Sequence, residues 1–471
     1  MNRFMLSGFS SGSGKTVITM GILKALQNKG LSMHSYKCGP DYIDPMFHKR
    51  VLGIPCRNLD PYLMGTEAVC MEVMNDRDES NDSQMAVIEG VMGYYDGIAG
   101  TTDNSAYTVA RMTDTPVILI ISPSGQSITL SAMIRGIQDY EPDSNITGII
   151  LNRCKPSMYM HLKDIIERNN GIKVFGYLPE IPDMSIDSRH LGLIMADEIP
   201  DFDRKLEHLV SEIEDKIDLD EIISMADSWQ KRKTANHSVV SGISYDSSNV
   251  STVSNPENTL KIAVARDEAF CFYYDMSLES FADRGIEPVF FSPLHDEHIP
   301  DDIQGLYIGG GYPELHAAEL EANSSMRQDI KRAIEDGMPV IAECGGFLYL
   351  GQGMEDSNGD KHKMTGVLPG IGYKTDKLVR FGYSVFTAES DSLIFAKGDK
   401  IPCHEFHYWD STDNGDELVV QKAGRNKSWK CGFTSKSMYA SFPHIVITPQ
   451  IAERVRIQMQ EYKSNNKYRE I

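Results

Sequence analysis

Two short stretches of this chain hold residue types whose spacing can do chemistry. The first is Phe4 to Thr16, FMLSGFSSGSGKT. An apolar run enters a turn containing Gly8, Gly12 and Gly14, then reaches Lys15-Thr16, where an apolar helical pattern begins (Val17, Ile18, Met20, Ile22, Leu23, Leu26). Strand, glycine-rich turn and helix in that order make a phosphate-binding loop. Backbone N–H groups through Gly12, Ser13 and Gly14 turn onto a polyphosphate, and the helix N-terminus adds partial positive charge. Lys15 reaches the β and γ oxygens, and Thr16 offers its hydroxyl to Mg2+. The spacing departs slightly from the usual motif: the expected first glycine falls on Phe9, and Gly8 lies one place earlier. ATP is the expected nucleotide.

The second stretch is Pro339 to Leu350, PVIAECGGFLYL. An apolar strand runs into Cys344-Gly345-Gly346, and a helical pattern follows. A nucleophile between strand and helix, flanked by small residues, is lifted out by the tight turn, and the helix N-terminus favours the thiolate. The loop Gly309-Gly310-Gly311-Tyr312 can present backbone N–H groups to a developing oxyanion. A thiolate also needs a base. His444 follows an expected strand, Met438 to Phe442, that can hold it rigidly. His404 and His407, in CHEFHYWD, are the other candidates. Without further clustered ligands their spacing is poor zinc evidence, and a substrate-contacting role suits His404 better.

Acids complete the list. Asp41 and Asp44 lie in KCGPDYIDPMFH and Asp60 in RNLDPYLM, each beside a Pro or Gly turn. Any one of them reads equally well as a turn former. Together they follow strands whose loops face the carboxyl edge of an α/β sheet, where ligands bind. Glu89 ends the strand Met85–Ile88, the usual place for a second Mg2+ anchor. The expected metal set is therefore Thr16, Asp41 and Glu89. Asp44, Asp60 and Asp96 (in VMGYYDG) are expected to face substrate. Asn152, just past a strand end, reads either as an adenine contact or as a loop turn.

These residues need two scaffolds. Apolar strands at 33–37, 85–88, 117–121, 146–151 and 174–177 alternate with helical patterns at 104–113, 127–139 and 159–168, which predicts a mostly parallel sheet covered on both faces. Residues 202–225 read as a charged surface helix. A second α/β pattern starts at 261–265 and continues near 288–291 and 305–308. The expected division is a phosphate-loop domain over 1–225, a Ser/Asn/Thr-rich linker over 226–259, a second domain over 260–462 and a polar tail over 463–471. The fold class is α/β throughout.

Composition narrows the partners. A net charge of −21 argues against nucleic acid. No apolar run approaches the ~20 residues of a membrane span. Eight cysteines form no CxxC pair, and the chain enters its first strand without a leader, so a reducing cytoplasmic location is expected. A homodimer is compatible with the sequence without being fixed by it.

With these motifs in hand, the chain resembles the cobyrinic acid a,c-diamide synthases of the anaerobic cobalamin pathway. The resemblance spans nearly the whole length: the phosphate loop, GPDYIDPMFH, RNLDP, EGVMGYYDG, ILNRC, RHLGL (Arg189 to Leu193), ARDEAFCFYY, GGGYPELH, AECGGFLYL and HEFHY. It implies a dethiobiotin-synthetase-like ATPase domain joined to a class I glutamine amidotransferase-like domain. Cys344 then matches the nucleophile and His444 its activating histidine. Ordinary class I amidotransferases place an acid two residues after that histidine. Here Val446 stands there, so the resemblance supports only a Cys–His dyad. Two smaller departures are Ile121-Ser122-Pro123, where relatives read Asp-Ala, and Cys403 before the His-Glu-Phe-His segment. The implied reaction is ATP- and glutamine-dependent amidation of two acetate carboxylates of cobyrinic acid through acyl phosphates. Because ammonia must pass between the domains, they are expected to pack together over the linker. Hydrogenobyrinic acid and Ni-sirohydrochlorin are alternative tetrapyrroles. A ParA/MinD-type ATPase switch is disfavoured, since no lysine precedes Lys15 in the loop.

Overall fold

The computed structural model describes residues 1–75, 83–181, 201–236 and 259–467. The expected segment Arg189–Leu193 and most of the expected linker lie outside them. The chain divides into two compact units, Met1–Ser244 and Tyr245–Ile471.

The first unit is built on a seven-stranded parallel sheet. Its strands are β1 (Asn2–Gly8), β2 (Ser32–Cys38), β3 (Cys56–Leu59), β4 (Gln84–Glu89), β5 (Val117–Ile121), β6 (Ile146–Leu151) and β7 (Lys173–Tyr177), in the order β3-β2-β4-β1-β5-β6-β7. Near-continuous apolar runs such as Val117–Ile121, wholly buried, are what a sheet covered on both faces requires. The order reverses at β1, whose neighbours are β4 and β5, so the loop after β1 opens into the crevice at the carboxyl edge. Helix α1 (Lys15–Asn28) leaves that loop, and α2 (Ile43–Leu52) follows β2.

Two helices close the unit, α3 (Phe202–Lys216) and α4 (Leu219–Asn236). They correct two expectations. The helix expected over 202–225 is two, broken at Ile217, and the apolar face of the first, with Leu206, Leu209, Val210 and Ile213, is buried beneath α1 as a surface helix requires. The supposed linker from 226 is helical to 236, because Ala226 is buried and the Trp229 indole N–H donates to Asp114 O at 3.2 Å. A polar composition hid these anchors.

The second unit centres on a six-stranded sheet. Five strands run parallel: β8 (Leu260–Ala265), β9 (Ile286–Phe291), β10 (Gly305–Ile308), β11 (Val340–Glu343) and, late in the chain, Met438–Ser441; Phe433–Ser435 closes the edge antiparallel. A helix, α5 (Gly345–Leu350), springs directly from the end of β11. A second, largely antiparallel sheet contains the long hairpin of β12 (Ile371–Ala388) and β13 (Lys400–Ser411). The chain's final helix, Pro449–Lys467, takes in the start of the expected polar tail.

Candidate active site

In the first unit the loop after β1 carries Gly12 and Gly14 at positive φ (75° and 89°). A side chain at Gly14 would strike the Asn152 amide, its Cβ only 2.2 Å from Nδ2. Asn152 instead donates to Ser13 O at 2.9 Å and accepts from the Arg153 N–H at 2.9 Å. Through its bond to Ser13 O this buried amide braces the phosphate loop. Lys15 donates to Ser10 O (3.0 Å) and Met92 O (2.6 Å), and burial beside Lys37 lowers its pKa to about 8.

Below the loop the carboxylates converge, with a residue that the motif reading had not singled out. Lys37 Nζ donates to Asp44 and to Glu89 Oε1 (2.7 Å), with Asp41 Oδ2 at 3.8 Å. Thr16 Oγ1 donates toward Glu89 Oε1 at 2.7 Å and lies 3.3 Å from Asp44 Oδ2. Burial, with the Asp44 charge beside it, pushes Glu89 up to about 7, while Lys37 keeps Asp44 ionised despite burial. Among the described residues no three His, Cys, Asp or Glu side chains alone form a metal site. Two carboxylates plus the Thr16 hydroxyl still suit Mg2+, which takes few protein oxygens and completes its shell with phosphates and water. The buried Glu89 Oε2 lacks a hydrogen-bond partner, as a waiting ligand atom would.

The remaining acids stand further back. Asp41 accepts the Ile43 N–H at 2.8 Å at the start of α2. Asp60 is buried, and its Oδ1 caps a short helix by accepting Tyr62 and Leu63 N–H, both at 3.0 Å. Asp60 Oδ1 thus serves as a helix cap, the turn-former alternative that the sequence left open. Asp96 accepts the Gly93 N–H at 3.0 Å in the exposed loop after β4.

In the second unit Cys344 sits between β11 and α5 with φ 50° and ψ −104°, a strained backbone for a residue with a Cβ. Gly346 is required behind it: a Cβ there would come within 2.0 Å of Ile308 O. His444 hydrogen-bonds to Cys344, and its Nδ1 lies 3.3 Å from Glu343 Oε2. Glu343 is fully buried and also accepts from Tyr307 OH (3.4 Å) and Ile445 N–H (3.3 Å). Burial alone would discharge His444, but the bonds to Cys344 and Glu343 outweigh it and raise its pKa to about 10. The expected Cys–His dyad therefore has a buried acid, Glu343, beside its imidazole in the arrangement of a triad. The acid precedes the nucleophile instead of following the histidine, and Val446 is simply buried. The letters AEC carried this signal, but a strand's last residue declares no partner until the sheet places His444 beside it.

The glycine loop also needs refining. Tyr312 N–H is committed to Ala269 O (2.9 Å) and Gly309 N–H to Tyr273 OH (2.8 Å). Gly310 and Gly311 pair with Phe270–Phe272 in a short antiparallel ladder, and a Cβ on Gly345 would fall 3.3 Å from Gly311 N, so this glycine backbone lies against the start of α5. Gly310 packs against the catalytic ring, since its Cβ would meet His444 Cε1 at 2.5 Å. His404 is buried and bridges His444 by paired backbone bonds, His404 N to His444 O (3.0 Å) and the reverse (2.8 Å).

Comparison with known proteins follows this division. Residues 4–193 match the CobQ/CobB/MinD/ParA nucleotide binding domain, and residues 261–451 the CobB/CobQ-like glutamine amidotransferase domain. The cobyrinate a,c-diamide synthase of Caldanaerobacter subterraneus subsp. tengcongensis is 38% identical over 445 residues, 94% of both chains. This chain belongs to the cobyrinate a,c-diamide synthase family. Those of Clostridium acetobutylicum (38% identical) and Clostridium tetani (40%) each align over 94% of this chain and 97% of their own. Membership joins the two sites in one catalyst, a glutamine-hydrolysing ligase with a nucleotide-binding half. Among the described residues no helix is long and apolar enough to cross a membrane.

Proposed function

We propose that the protein converts the a and c acetate carboxylates of cobyrinic acid to amides, with glutamine as nitrogen donor and ATP as the activating reagent. The observation that carries this reading is the Cys344–His444–Glu343 set, in a chain related to cobyrinate a,c-diamide synthases over 94% of its length.

Cys344 Sγ attacks the side-chain amide carbon of glutamine, and backbone donors around Gly310 and Gly311 stabilise the oxyanion. His444 gives its proton to the departing ammonia, leaving a thioester. Water, deprotonated by the same imidazole, frees glutamate and restores the thiol. Glu343 holds the imidazole in the tautomer and orientation that this requires.

In the first unit Lys15 and the loop amides position the γ-phosphoryl group against an acetate carboxylate. Transfer yields ADP and an acyl phosphate, from which ammonia displaces phosphate to leave the amide. Thr16, Glu89 and Asp44 would hold Mg2+, which supplies charge neutralisation at the phosphates. Asp41 and Asp96 border this region. Eight free cysteines among the described residues fit a reducing cytoplasm.

The test is product mass spectrometry with ATP, Mg2+, glutamine and, in turn, cobyrinic acid, hydrogenobyrinic acid and Ni-sirohydrochlorin. Two successive acid-to-amide conversions are expected on cobyrinic acid. Conversion of another tetrapyrrole with cobyrinic acid untouched would reassign the substrate.

A further inference from the structure

Strand β13 alternates in the ordinary period of two. Glu405 and His407 point into the unit, and the His407 ring lies flat on Phe442 with centroids 4.0 Å apart. Phe442 in turn packs against Phe347 of α5, next to the nucleophile. The other face of β13 carries His404, Phe406 and Tyr408. His404 is buried against the catalytic strand, whereas Phe406 and Tyr408 are 52% and 46% exposed. The inner rings therefore back the thiol site, while Phe406 and Tyr408, 6.2 Å apart, face solvent on the opposite side of the strand.

The partner strand extends it. Val379 pairs with His407 and Gly382 with Glu405, so Arg380 and Phe381 together oppose the single Phe406. This is a bulge, and Arg380 takes φ 53° within it. Arg380 turns inward to Asp410 (2.5 Å) and Glu405 (3.5 Å), its guanidinium 5.4 Å from the Phe442 ring. Phe381 is turned outward, 52% exposed, with its ring 5.4 Å from Phe406. The bulge that turns Arg380 inward to its acids leaves Phe381 outside, so that three adjoining aromatic rings face water, an apolar patch of the kind that marks an interaction site.

The border of this face beside Phe381 is basic. Lys422 Nζ donates to Phe381 O. The segment 422–430, KAGRNKSWK, holds four cations and no acid in a chain of net charge −21. Arg425 and Lys427 within it are exposed.

We propose that this face, Phe381, Phe406 and Tyr408 bordered by Arg425 and Lys427, docks the flat, carboxylate-fringed macrocycle. The proposal rests on the tetrapyrrole reading above and adds where the substrate is gripped. Aromatic rings stack on a planar π system whatever its substituents, and the cations meet its carboxylates. Each amidation removes one negative charge, so the face holds product less tightly than substrate.

The test is equilibrium titration of the intact protein with cobyrinic acid, followed by the corrin absorbance at several salt concentrations. Replacing Phe406→Ala together with Tyr408→Ala should weaken binding at least ~10-fold, the scale seen when stacking rings are lost. Arg425→Gln with Lys427→Gln should flatten the salt dependence. These are surface changes, so the thermal midpoint serves as the folding control. Wild-type binding with unchanged affinity in the aromatic variant would overturn the docking face alone. A changed sedimentation or proteolysis pattern, with macrocycle affinity intact, would assign the face to a protein contact and also overturn it. Absence of binding by wild type would overturn the tetrapyrrole reading, and this proposal with it.

Discussion

The phosphate loop and the thiol elbow both place a reactive group at a helix N-terminus, yet they are built from different materials. Around the loop, side-chain charges dominate: Lys37, Asp44 and Glu89 neutralise one another in a buried cluster that a bound cation would have to rearrange. Around the elbow, backbone dominates. Cys344, Gly346, the bridge between His404 and His444, and the anchored Glu343 are fixed by sheet register and close approach. The first arrangement can change when ligands arrive, whereas the second is assembled beforehand. Reorganisation belongs where charge is transferred from a mobile substrate, and preorganisation where an oxyanion must be met at once.

The sharpest way to separate the two halves is Cys344→Ala. Glutamine-dependent amidation should fall by a factor on the order of 10^3 or more, while amidation with free ammonia persists. Equal loss with both nitrogen donors would mean that the two sites are not divided in this way.

Lys37→Met breaks the charged cluster in the other half. Leaving buried carboxylates unmatched should cost about 3–5 kcal/mol in the presence of a chelator. Urea midpoints with and without Mg2+ read the result. The variant should recover more stability from Mg2+ than wild type does, and an equal gain in both would argue against a cation at these carboxylates.

Glu343→Gln keeps the shape of the triad but removes its charge. Glutamine hydrolysis should drop about 10^2-fold and its pH profile should shift, with glutamine KM little changed. An unaltered profile would return the site to a dyad.

The smallest effect tests what the halves share. His48 is held neutral by burial, its pKa lowered to about 4, and burial beside His444 lowers His404 to about 3. The unfolded chain binds protons near 6.5, before the folded one does, so stability should decline as pH falls from about 6.5 toward 4. The slope contributed by each group is at most ~1.4 kcal/mol per pH unit. His48→Gln and His404→Gln should each remove part of it in urea titrations. If neither does, these rings are not neutral in the fold.

Much of this was readable from the letters. A glycine turn between an apolar strand and a helical pattern fixes a phosphate loop because the backbone itself is the ligand, and the neighbours in sequence are the neighbours in space. The same locality makes Cys344-Gly345-Gly346 an elbow. Asn152 and Asp60 stayed open between two readings, and α4 was missed, for a common reason: polar residues serve turns, caps and buried braces as readily as ligands, and composition does not separate these uses.

Sequence by itself therefore determined the two reactive groups, the α/β class and the family. Only tertiary structure decided which distant groups answer them. Lys37 meets Glu89 because β2 and β4 lie side by side, and Glu343 meets His444 because β11 pairs with the strand that ends before it. The bulge that turns Phe381 outward likewise exists only in the pairing of two strands. Hydrogen bonds and ion pairs act over a few ångströms, and strand adjacency, which sets those distances, is not written in any local stretch of chain.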